Sequence, residues 1–431
     1  MKKIQPVDYI DAYVTIPGSK SVTHRAAIAA ALATGTSRLD KFLACEDTMF
    51  TIQTLQSLGV PMSLTGETLT ISGTGGKLLD EPGEKEIFLG NSGTSFRLLL
   101  SVAALARGRF LFTGSPRMLK RPIADLVQAL NALGVNAWCV NDDGCPPVMM
   151  EATGSVYGGS VGVRGADSSQ FISSLLLMAP YAANEVRIEV TGSLVSAPYV
   201  RLTLDVMSKF GLQVGHEGLS NFWVTPGAGY KGRFLTVEGD ASNASYFWAA
   251  AAVTGGKVTT GNIHLGSEQG DLNFLEIIQA MGCQVIQMPD EVTVIGGPLR
   301  GLDVDMNAMP DLVPTLAVMA LFAQGKTAIT NVGHLRHKES DRLAAISTEL
   351  RRLGGKIEEL PDGLVIHGGE KLSGADIETY NDHRMAMSLA VAGLRVVDVR
   401  IKDEGCVVKS FPKFWDVWET MYNRLAVTKA P

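Results

Sequence analysis

The hydrophobic residues of this chain fall into two kinds of segment that alternate along its length. Segments of the first kind are almost wholly apolar after a few small polar residues, as in NSGTSFRLLLSVAALARG, and this pattern is typical of a buried helix. Segments of the second kind carry apolar residues at helical spacing, as in ADLVQALNALGV, and predict amphipathic helices. Runs such as VRIEVTG follow the first kind and predict strands.

This pair of helices recurs six times, at intervals of roughly 70 residues. A hairpin pattern such as SLTGETLTISG closes five of the six copies, whereas the sixth copy reaches the end of the chain after its second helix. The N-terminal IQPVDYIDAYVTI is strand-like and has no helix of its own. We therefore expect the two ends to complete one another, so that residues 1–17 plus 238–431 form a first domain from repeats 4–6. Residues 18–237 then form a second domain from repeats 1–3.

The repeats predict an α/β fold of six βαβαββ-type units, three per domain, with three apolar helices buried side by side under sheets in each domain. The openings of the apolar helices are GSKSVTHR, GNSGTSFR, ADSSQF, GDASNAS, MPDLVP and NDHRMAM. A purely structural solenoid keeps such turns similar, but these openings differ and several carry charged side chains. If the helix N-termini face a cleft between the domains, their dipoles favour an anion there.

Composition narrows the class of protein. With 431 residues, 46% hydrophobic and 19% charged, the chain is expected to be globular, with two or more domains. The net charge of −6 argues against a general nucleic-acid or membrane-surface binder. Five scattered cysteines and seven histidines show neither a disulfide framework nor metal-ligand spacing, and no signal-like or membrane-spanning run is found. We expect a cytoplasmic monomer without a metal.

Two basic motifs precede predicted helices. In PGSKSVTHR, Arg25 lies four residues after Ser21 on the same helix face, and Lys20 directly precedes Ser21. A carboxylate or phosphate is the natural partner of these residues, although serine is also an ordinary helix cap. In PRMLKRPIADL, cations oppose the dipole of a helix expected to begin at Pro122. We expect Arg121 to meet an anion and Lys120 to face solvent.

Two later motifs carry further charge. RHKESDRLAAI places Lys338 and Arg342 four residues apart, which on its own favours an ion-paired helix face. NDHRMAM puts Arg384 directly before an apolar helix, with Asp382 as its expected N-cap. VVKSFP places Lys409 at the end of a strand-like run.

In their order along nearly the whole chain, the motifs PGSKSVTHR, LGNSGTSFRLL, RMLKRPI, DSSQF, SAPYV, MPDL, KESDR, NDHRMAM and KSFP resemble the 5-enolpyruvylshikimate-3-phosphate synthase family. The resemblance implies a two-domain inverse α/β barrel with the active site between the domains. It also implies transfer of the enolpyruvyl group of phosphoenolpyruvate to the 5-hydroxyl of shikimate 3-phosphate, with release of phosphate, in the shikimate pathway to the aromatic amino acids. No cofactor or metal is implied.

The resemblance also implies roles for individual residues. Those matching shikimate 3-phosphate contacts are Lys20, Ser21, Arg25, Ser168, Ser169, Gln170, Ser196, Tyr199, Asp311, His334 and Lys338. Those matching phosphoenolpyruvate contacts are Lys20, Asn91, Gly93, Arg121, Gln170, Arg342, Arg384 and Lys409. The family's candidates for proton transfer correspond to Asp311, Glu339 and Lys20, of which the two carboxylates come first.

The chain departs from the common family pattern at four positions. Many members have a proline where Leu98 stands, alanines where Ser92 and Ser95 stand, and asparagine at His334. The first three departures flank Gly93, in the loop at which glyphosate competes with phosphoenolpyruvate in this family.

Two alternative functions fit the sequence less well than this one. UDP-N-acetylglucosamine enolpyruvyl transferase shares the fold and chemistry, but it uses a cysteine in the loop that here reads TGSPRMLKRP, and Lys-Asn where this chain has Lys20-Ser21. A non-catalytic anion-binding relative is expected to lack Asp311 or Glu339, and both are present.

Overall fold

A computed structural model describes residues 1–427. Its α-helices are, in chain order, α1 (Lys20–Leu32), α2 (Glu46–Ser57), α3 (Gly93–Ala103), α4 (Ala124–Ala132), α5 (Ser169–Met178), α6 (Pro198–Lys209), α7 (Ala241–Thr254), α8 (Phe274–Ala280), α9 (Val313–Leu321), α10 (Arg342–Arg352), α11 (His383–Gly393) and α12 (Phe414–Val427). The odd-numbered helices are the predicted apolar ones, and the even-numbered helices are the predicted amphipathic ones.

The strands of the terminal quarters are β1 (Lys2–Lys3), β2 (Asp11–Thr15), β3 (Thr34–Asp40), β4 (Met62–Thr65), β5 (Thr68–Thr74), β6 (Asp80–Phe88), β18 (Asp303–Asp305), β19 (Lys326–Thr330), β20 (Lys356–Leu360), β21 (Gly363–His367), β22 (Asp376–Ile377) and β23 (Arg400–Ile401). Those in between are β7 (Arg107–Thr113), β8 (Asn136–Cys139), β9 (Val148–Thr153), β10 (Gly159–Arg164), β11 (Val186–Thr191), β12 (Gly215–Glu217), β13 (Asn221–Val224), β14 (Phe234–Thr236), β15 (Lys257–Gly261), β16 (Gln284–Met288) and β17 (Glu291–Ile295).

The strands form small sheets that share one plan. In the sheet β10-β11-β13-β12, β10 runs parallel to β11 on either side of α5, and the hairpin β12–β13 follows α6 and joins antiparallel. The sheets β6-β7-β9-β8 and β18-β19-β21-β20 repeat this order. The six repeats of strand, helix, strand, helix and hairpin expected from the sequence are therefore confirmed, with a shorter sixth copy.

The chain divides into two compact units. We call residues 18–237 the internal unit, and residues 1–17 with the described part of 238–431 the terminal unit. The two connections between the units exchange strands: β2 directly precedes α1 but pairs with β15, whereas β14 directly precedes α7 but pairs with β3. Near the chain start, β1 pairs with β23, in the place that a hairpin strand takes in the other sheets.

Each unit is built around three apolar helices that pack against one another. In the internal unit these are α1, α3 and α5, and in the terminal unit α7, α9 and α11. Every residue of α7, α9 and α11 is buried, which explains why their sequences lack a polar face. Within the described chain, no helix is both long and apolar enough to cross a membrane.

The packed helices run parallel. Asp311, in the turn before α9, contacts Arg384 in the first turn of α11, and Thr315 contacts Ser388 one turn further along both helices. Arg97 contacts Gln170 at the start of α3 and α5, and Ser101 contacts Ser174 one turn later. The helix N-termini of each packed pair therefore lie at the same end, where their unsatisfied N–H groups and dipoles act together.

Close packing of a sheet against an apolar helix depends on a glycine at the end of a hairpin, within the last two residues of β5 or directly after β21. A Cβ added to Gly368 would lie 2.0 Å from the Ala323 carbonyl oxygen, and one added to Gly73 would lie 2.2 Å from that of Ala33. Both carbonyls belong to backbone just after an apolar helix, so relief requires the helix and the sheet to separate.

We predict that Gly368→Ala lowers the free energy of unfolding by about 1–3 kcal/mol, because the added methyl group overpacks the end of α9. Urea unfolding measures the change. Gly162→Ala is the matched control, since a Cβ there meets nothing within 4 Å. Equal stability of the two variants would contradict the close-packing argument.

Candidate active site

In the internal unit, several of the predicted binding residues lie at the start of the apolar helices. Gln170 in the first turn of α5 accepts a hydrogen bond from Arg97 (2.8 Å) and donates one to Thr94 (3.0 Å), both in α3. Ser168 caps α5 by accepting from the Gln170 backbone N–H (3.2 Å), and Ser169 follows it, buried. Hydroxyl, amide and guanidinium groups thus line adjoining helix N-termini, a suitable arrangement for binding an anion.

The guanidinium of Arg25, in α1, is buried. Its Nε donates to the Thr203 hydroxyl (2.7 Å), and its Nη atoms donate to the Ser173 hydroxyl and to the carbonyls of Ser21 and Tyr199. Burial lowers its pKa to about 10. Within the described residues these hydrogen-bond partners are neutral, so the cation is uncompensated and suited to a phosphate or carboxylate ligand.

Two other predicted residues lie close to Arg25. Tyr199, in the first turn of α6, places its ring centroid 6.0 Å from the guanidinium carbon of Arg25. Ser196 is buried just before α6 and has a left-handed backbone (φ 55°), an uncommon conformation that turns the chain into the helix. The start of α6 therefore brings these residues to the same buried cation.

Lys20, the first residue of α1, is paired with a carboxylate that the sequence did not reveal. Its Nζ lies 3.0 Å from Oδ2 of Asp47 in α2, and both side chains are buried. The hydroxyl of Ser95 donates to the Asp47 carbonyl (2.8 Å) and contacts the hydroxyl of Ser92 (2.8 Å). Two of the departures from the family pattern therefore belong to one buried hydrogen-bond network that ties the α3 N-terminus to Asp47.

The glycine loop before α3 lies against Arg121. A Cβ added to Gly93 would lie 2.6 Å from the guanidinium carbon of Arg121. Arg121 is buried and donates to the Asn91 carbonyl (3.4 Å), whereas Lys120 is exposed as expected. The third departure, Leu98, is buried in the core.

In the terminal unit, the carboxylate of Asp311 is shared by two arginines. It lies in a short 3₁₀ turn before α9 and accepts from Arg342 Nη1 (2.8 Å) and Arg384 Nη2 (2.7 Å). Burial by itself raises the pKa of Asp311, but the positive charges of Arg384, Lys338 and Arg342 outweigh it and hold the pKa well below its usual range. The group is fully ionised at neutral pH.

Arg342 joins three carboxylates. Besides Asp311 it donates to Glu339 Oε2 (2.8 Å) and to both oxygens of Asp382 (2.8 and 3.2 Å). The ion pairs expected from this motif are present, but they do not form a helix face shared by Lys338 and Arg342, because Lys338 precedes α10 and the Arg342 side chain is 1% exposed. A spacing of four residues does not reveal partners that come from other elements.

Asp382 caps the N-terminus of α11, as expected, and it also accepts hydrogen bonds from side chains outside that helix. Its Oδ1 accepts from the Arg384 backbone N–H (3.0 Å), while its Oδ2 accepts from the Ser340 hydroxyl (3.0 Å) and from Arg342. This fully buried carboxylate orders both arginines that hold Asp311.

Three further predicted residues lie in short 3₁₀ segments or directly after one. His334 lies in the turn Gly333–His337, which Lys338 ends. Burial, followed by the positive charge of Lys338, lowers the pKa of His334 to about 4, so its imidazole is neutral; its buried Nε2 has no hydrogen-bond partner in the described part of the chain. Lys409 is buried at the end of the 3₁₀ helix Glu404–Lys409, so the strand predicted there is wrong.

Asp271, which the sequence did not single out, lies buried beside the same cluster. Its Oδ2 accepts from the Ser242 hydroxyl, and its Oδ1 has no hydrogen-bond partner among the residues described. Burial, and then the negative charge of Asp311, raise its pKa to about 7. In the sequence, Asp271 is simply the last residue of the polar run SEQGD, and nothing in that run distinguishes it from a surface aspartate.

The raised pKa of Asp271 predicts a pH-dependent stability. Since its pKa is about 7 when folded and about 4 when unfolded, the folded state binds the proton more tightly, and the favourable contribution declines as pH rises from about 4 to about 7. Between pH 5 and pH 7, we expect the free energy of unfolding to fall by about 2–3 kcal/mol more in the wild type than in Asp271→Asn. Urea unfolding at the two pH values checks this, and parallel curves would contradict it.

The polar and charged residues described above form two clusters, one in the internal unit and one in the terminal unit. They offer arginine and lysine for binding anions, and carboxylates for proton transfer. Among the residues described, no three His, Cys, Asp or Glu side chains are grouped as metal ligands would be. Fold and site together define a class: two-unit α/β proteins of six repeats whose apolar helices begin beside buried arginines and lysines, a setting suited to anions.

Comparisons with known proteins name the family within that class. The family model for EPSP synthase (3-phosphoshikimate 1-carboxyvinyltransferase) matches residues 4–418, and the chain belongs to this family. The 3-phosphoshikimate 1-carboxyvinyltransferase of Syntrophobacter fumaroxidans is 45% identical, covering 97% of this chain and 99% of its own. The chloroplastic enzyme of that name from Petunia hybrida is 43% identical, covering 96% and 84%.

A solved structure supports the fold. The EPSP synthase of Acinetobacter baumannii superposes with a TM-score of 0.82 at 27% identity, covering 97% of each chain. The family resemblance and the α/β fold class inferred from the sequence are thereby confirmed.

Proposed function

We propose that this chain transfers the enolpyruvyl group of phosphoenolpyruvate to the 5-hydroxyl of shikimate 3-phosphate, releasing phosphate, as a step of the shikimate pathway to the aromatic amino acids. The observation that carries the proposal is the Asp311 carboxylate, held by Arg342 and Arg384 at adjoining helix N-termini in a chain of this family. The same site supplies charge for an acidic substrate and a carboxylate for proton transfer.

Shikimate 3-phosphate is assigned mainly to the internal unit. Arg25 is a buried cation with neutral partners, so it gains most from a phosphate or carboxylate. Ser168, Ser169 and Gln170 contribute the N-terminus of α5. In the terminal unit, His334 offers a neutral imidazole with a buried, unpartnered Nε2, which is suited to a substrate hydroxyl.

Phosphoenolpyruvate carries a phosphate and a carboxylate and therefore needs several cations. Arg342, Arg384 and Lys409 are assigned to it in the terminal unit, and Lys20 and Arg121 in the internal unit; all five are buried. Asn91 and Gly93 shape the loop on which Arg121 lies. We propose that both clusters serve the same reaction.

The reaction needs proton transfers at two places. The substrate hydroxyl loses a proton as its oxygen bonds to C2 of phosphoenolpyruvate, and C3 gains one, which gives a tetrahedral intermediate. C3 then loses a proton as the bond between C2 and the phosphate oxygen breaks and the double bond forms again. Asp311, Glu339 and Lys20 are the proposed donors and acceptors.

The ligand-free arrangement keeps Asp311 a weak base, because the arginines around it lower its pKa. An anionic substrate on Arg342 and Arg384 offsets their charge, so the basicity of Asp311 rises when the substrate is in place. Proton transfer is then coupled to binding.

We further propose that the enzyme acts as a cytoplasmic monomer. One chain provides both clusters, and all five cysteines are free thiols, as expected in a reducing compartment.

The direct test is release of phosphate by the purified protein. Release that requires phosphoenolpyruvate and shikimate 3-phosphate together supports the proposal. Release with UDP-N-acetylglucosamine as acceptor instead would assign the sibling reaction, and binding without release would make the chain a non-catalytic relative.

We predict that Asp311→Ala lowers kcat by about 10²–10⁴-fold while shikimate 3-phosphate still binds, because a proton-transfer group is lost but the Arg25 site is intact. Stopped-time phosphate assays and equilibrium binding measure the two effects. Asp303→Asn serves as control, since that carboxylate is exposed on β18 and pairs with Lys326. Wild-type turnover in Asp311→Ala would overturn its assignment.

We predict that Gly93→Ala raises the KM for phosphoenolpyruvate by about tenfold, because the new methyl group overlaps the guanidinium of Arg121 and displaces it. The thermal midpoint should change little, since the displaced group is the end of a flexible side chain. Steady-state kinetics checks this, with Gly162→Ala as the control. An unchanged KM would show that Arg121 is not a phosphoenolpyruvate ligand.

A further inference from the structure

Glu349 is a fully buried carboxylate for which the proposed reaction has no use. It lies on α10 seven residues after Arg342, which is two helical turns along the same face. Its oxygens accept hydrogen bonds from the Tyr380 hydroxyl (2.8 Å), the Glu378 backbone N–H (3.1 Å) and Arg352 Nη1 (3.0 Å). A buried carboxylate with three donors is a fixed point in the structure.

Two of these donors belong to the loop between β22 and α11. Within this loop, Tyr380 and Asn381 both have left-handed backbones, with φ of 55° and 53°. Two consecutive residues with side chains rarely adopt this conformation, and it persists only where surrounding contacts fix it. The Tyr380 residue is 42% exposed, so burial alone does not hold it, and its hydroxyl bond to Glu349 is the buried anchor.

The left-handed turn determines where the next residues lie. Asp382 follows it directly, caps α11 and accepts from Arg342, and Arg384 then reaches Asp311. Helix α10 is therefore joined to this loop twice, by Arg342 at its N-terminus and by Glu349 two turns later. The first attachment involves the substrate-binding arginine itself, whereas the second does not.

We propose that Glu349 is a positioning residue, which holds the left-handed turn at Tyr380–Asn381 and thereby keeps Asp382 and Arg384 in place to bind the acidic groups of phosphoenolpyruvate. The proposal rests on the proposed function for the identity of the ligand. Glu349 acts through the loop and does not touch the substrate.

The experiment compares Glu349→Ala, Glu349→Gln and Tyr380→Phe with the wild type. We expect Glu349→Ala to raise the KM for phosphoenolpyruvate by about tenfold or more, since a small displacement of Arg384 is enough to weaken the contact. The KM for shikimate 3-phosphate should change less than about threefold, because Arg25 lies in the other unit. Glu349→Gln keeps a carbonyl acceptor, so its KM for phosphoenolpyruvate should be lower than that of Glu349→Ala. Tyr380→Phe removes a single hydrogen bond from a half-exposed ring, so its KM should lie between those of the wild type and Glu349→Ala.

Glu358→Gln is the control, because this carboxylate lies on β20 with its side chain 62% exposed. Hydrogen–deuterium exchange of residues 376–386 provides a readout independent of activity, and exchange should be faster in Glu349→Ala than in the wild type and the control. Unchanged exchange overturns the proposal, as does faster exchange with both KM values unaltered or raised equally. A wild type that releases no phosphate from the two substrates refutes the proposed function, and the exchange data still decide whether Glu349 holds the turn.

Discussion

The site depends on the burial of parallel apolar helices. Once three such helices lie side by side in a unit, the N–H groups of their first turns collect at one end, without partners from their own helices. The chain fills these ends with residues such as Ser168 and Asp382, which cap the helices, and with arginines such as Arg97 and Arg384, which are positioned by neighbouring first turns. Binding chemistry is thus a consequence of how the core is packed.

Charge balance differs between the two units. In the terminal unit each buried arginine is compensated by carboxylates, and removing one member of such a set typically costs about 3–5 kcal/mol, since it leaves a charge buried alone. In the internal unit, Arg25 is surrounded by hydroxyls and carbonyls. The charged cluster of the terminal unit is therefore stable and preorganised before any ligand arrives. The internal unit instead holds a cation, Arg25, that only an anion can neutralise.

The repeats, their helices and the family were readable from the sequence because apolar periodicity and ordered motifs are local signals. Partnerships across elements were not, since nothing in KESDR shows that Arg342 bonds Asp382, and nothing near Lys20 points to Asp47. Asp271 and Glu349 were missed for the same reason: burial decides their chemistry, and burial belongs to the folded chain. The strand assigned before Lys409 failed because a short apolar run fits a 3₁₀ helix equally well.

The strand exchange has a consequence for how the molecule is made. Strand β2 pairs with β15, and β1 pairs with β23, so both N-terminal strands have partners that come much later in the chain. Every strand of the internal unit pairs with strands within residues 18–237. All strand partners of the internal unit are therefore available once residue 237 has been synthesised, whereas β1 and β2 obtain theirs only from later residues. The backbone N–H of Asp240 donates to the carbonyl of Pro17, so the chain re-enters the terminal unit beside the point at which it left, and residues 18–237 form a closed insertion in that unit.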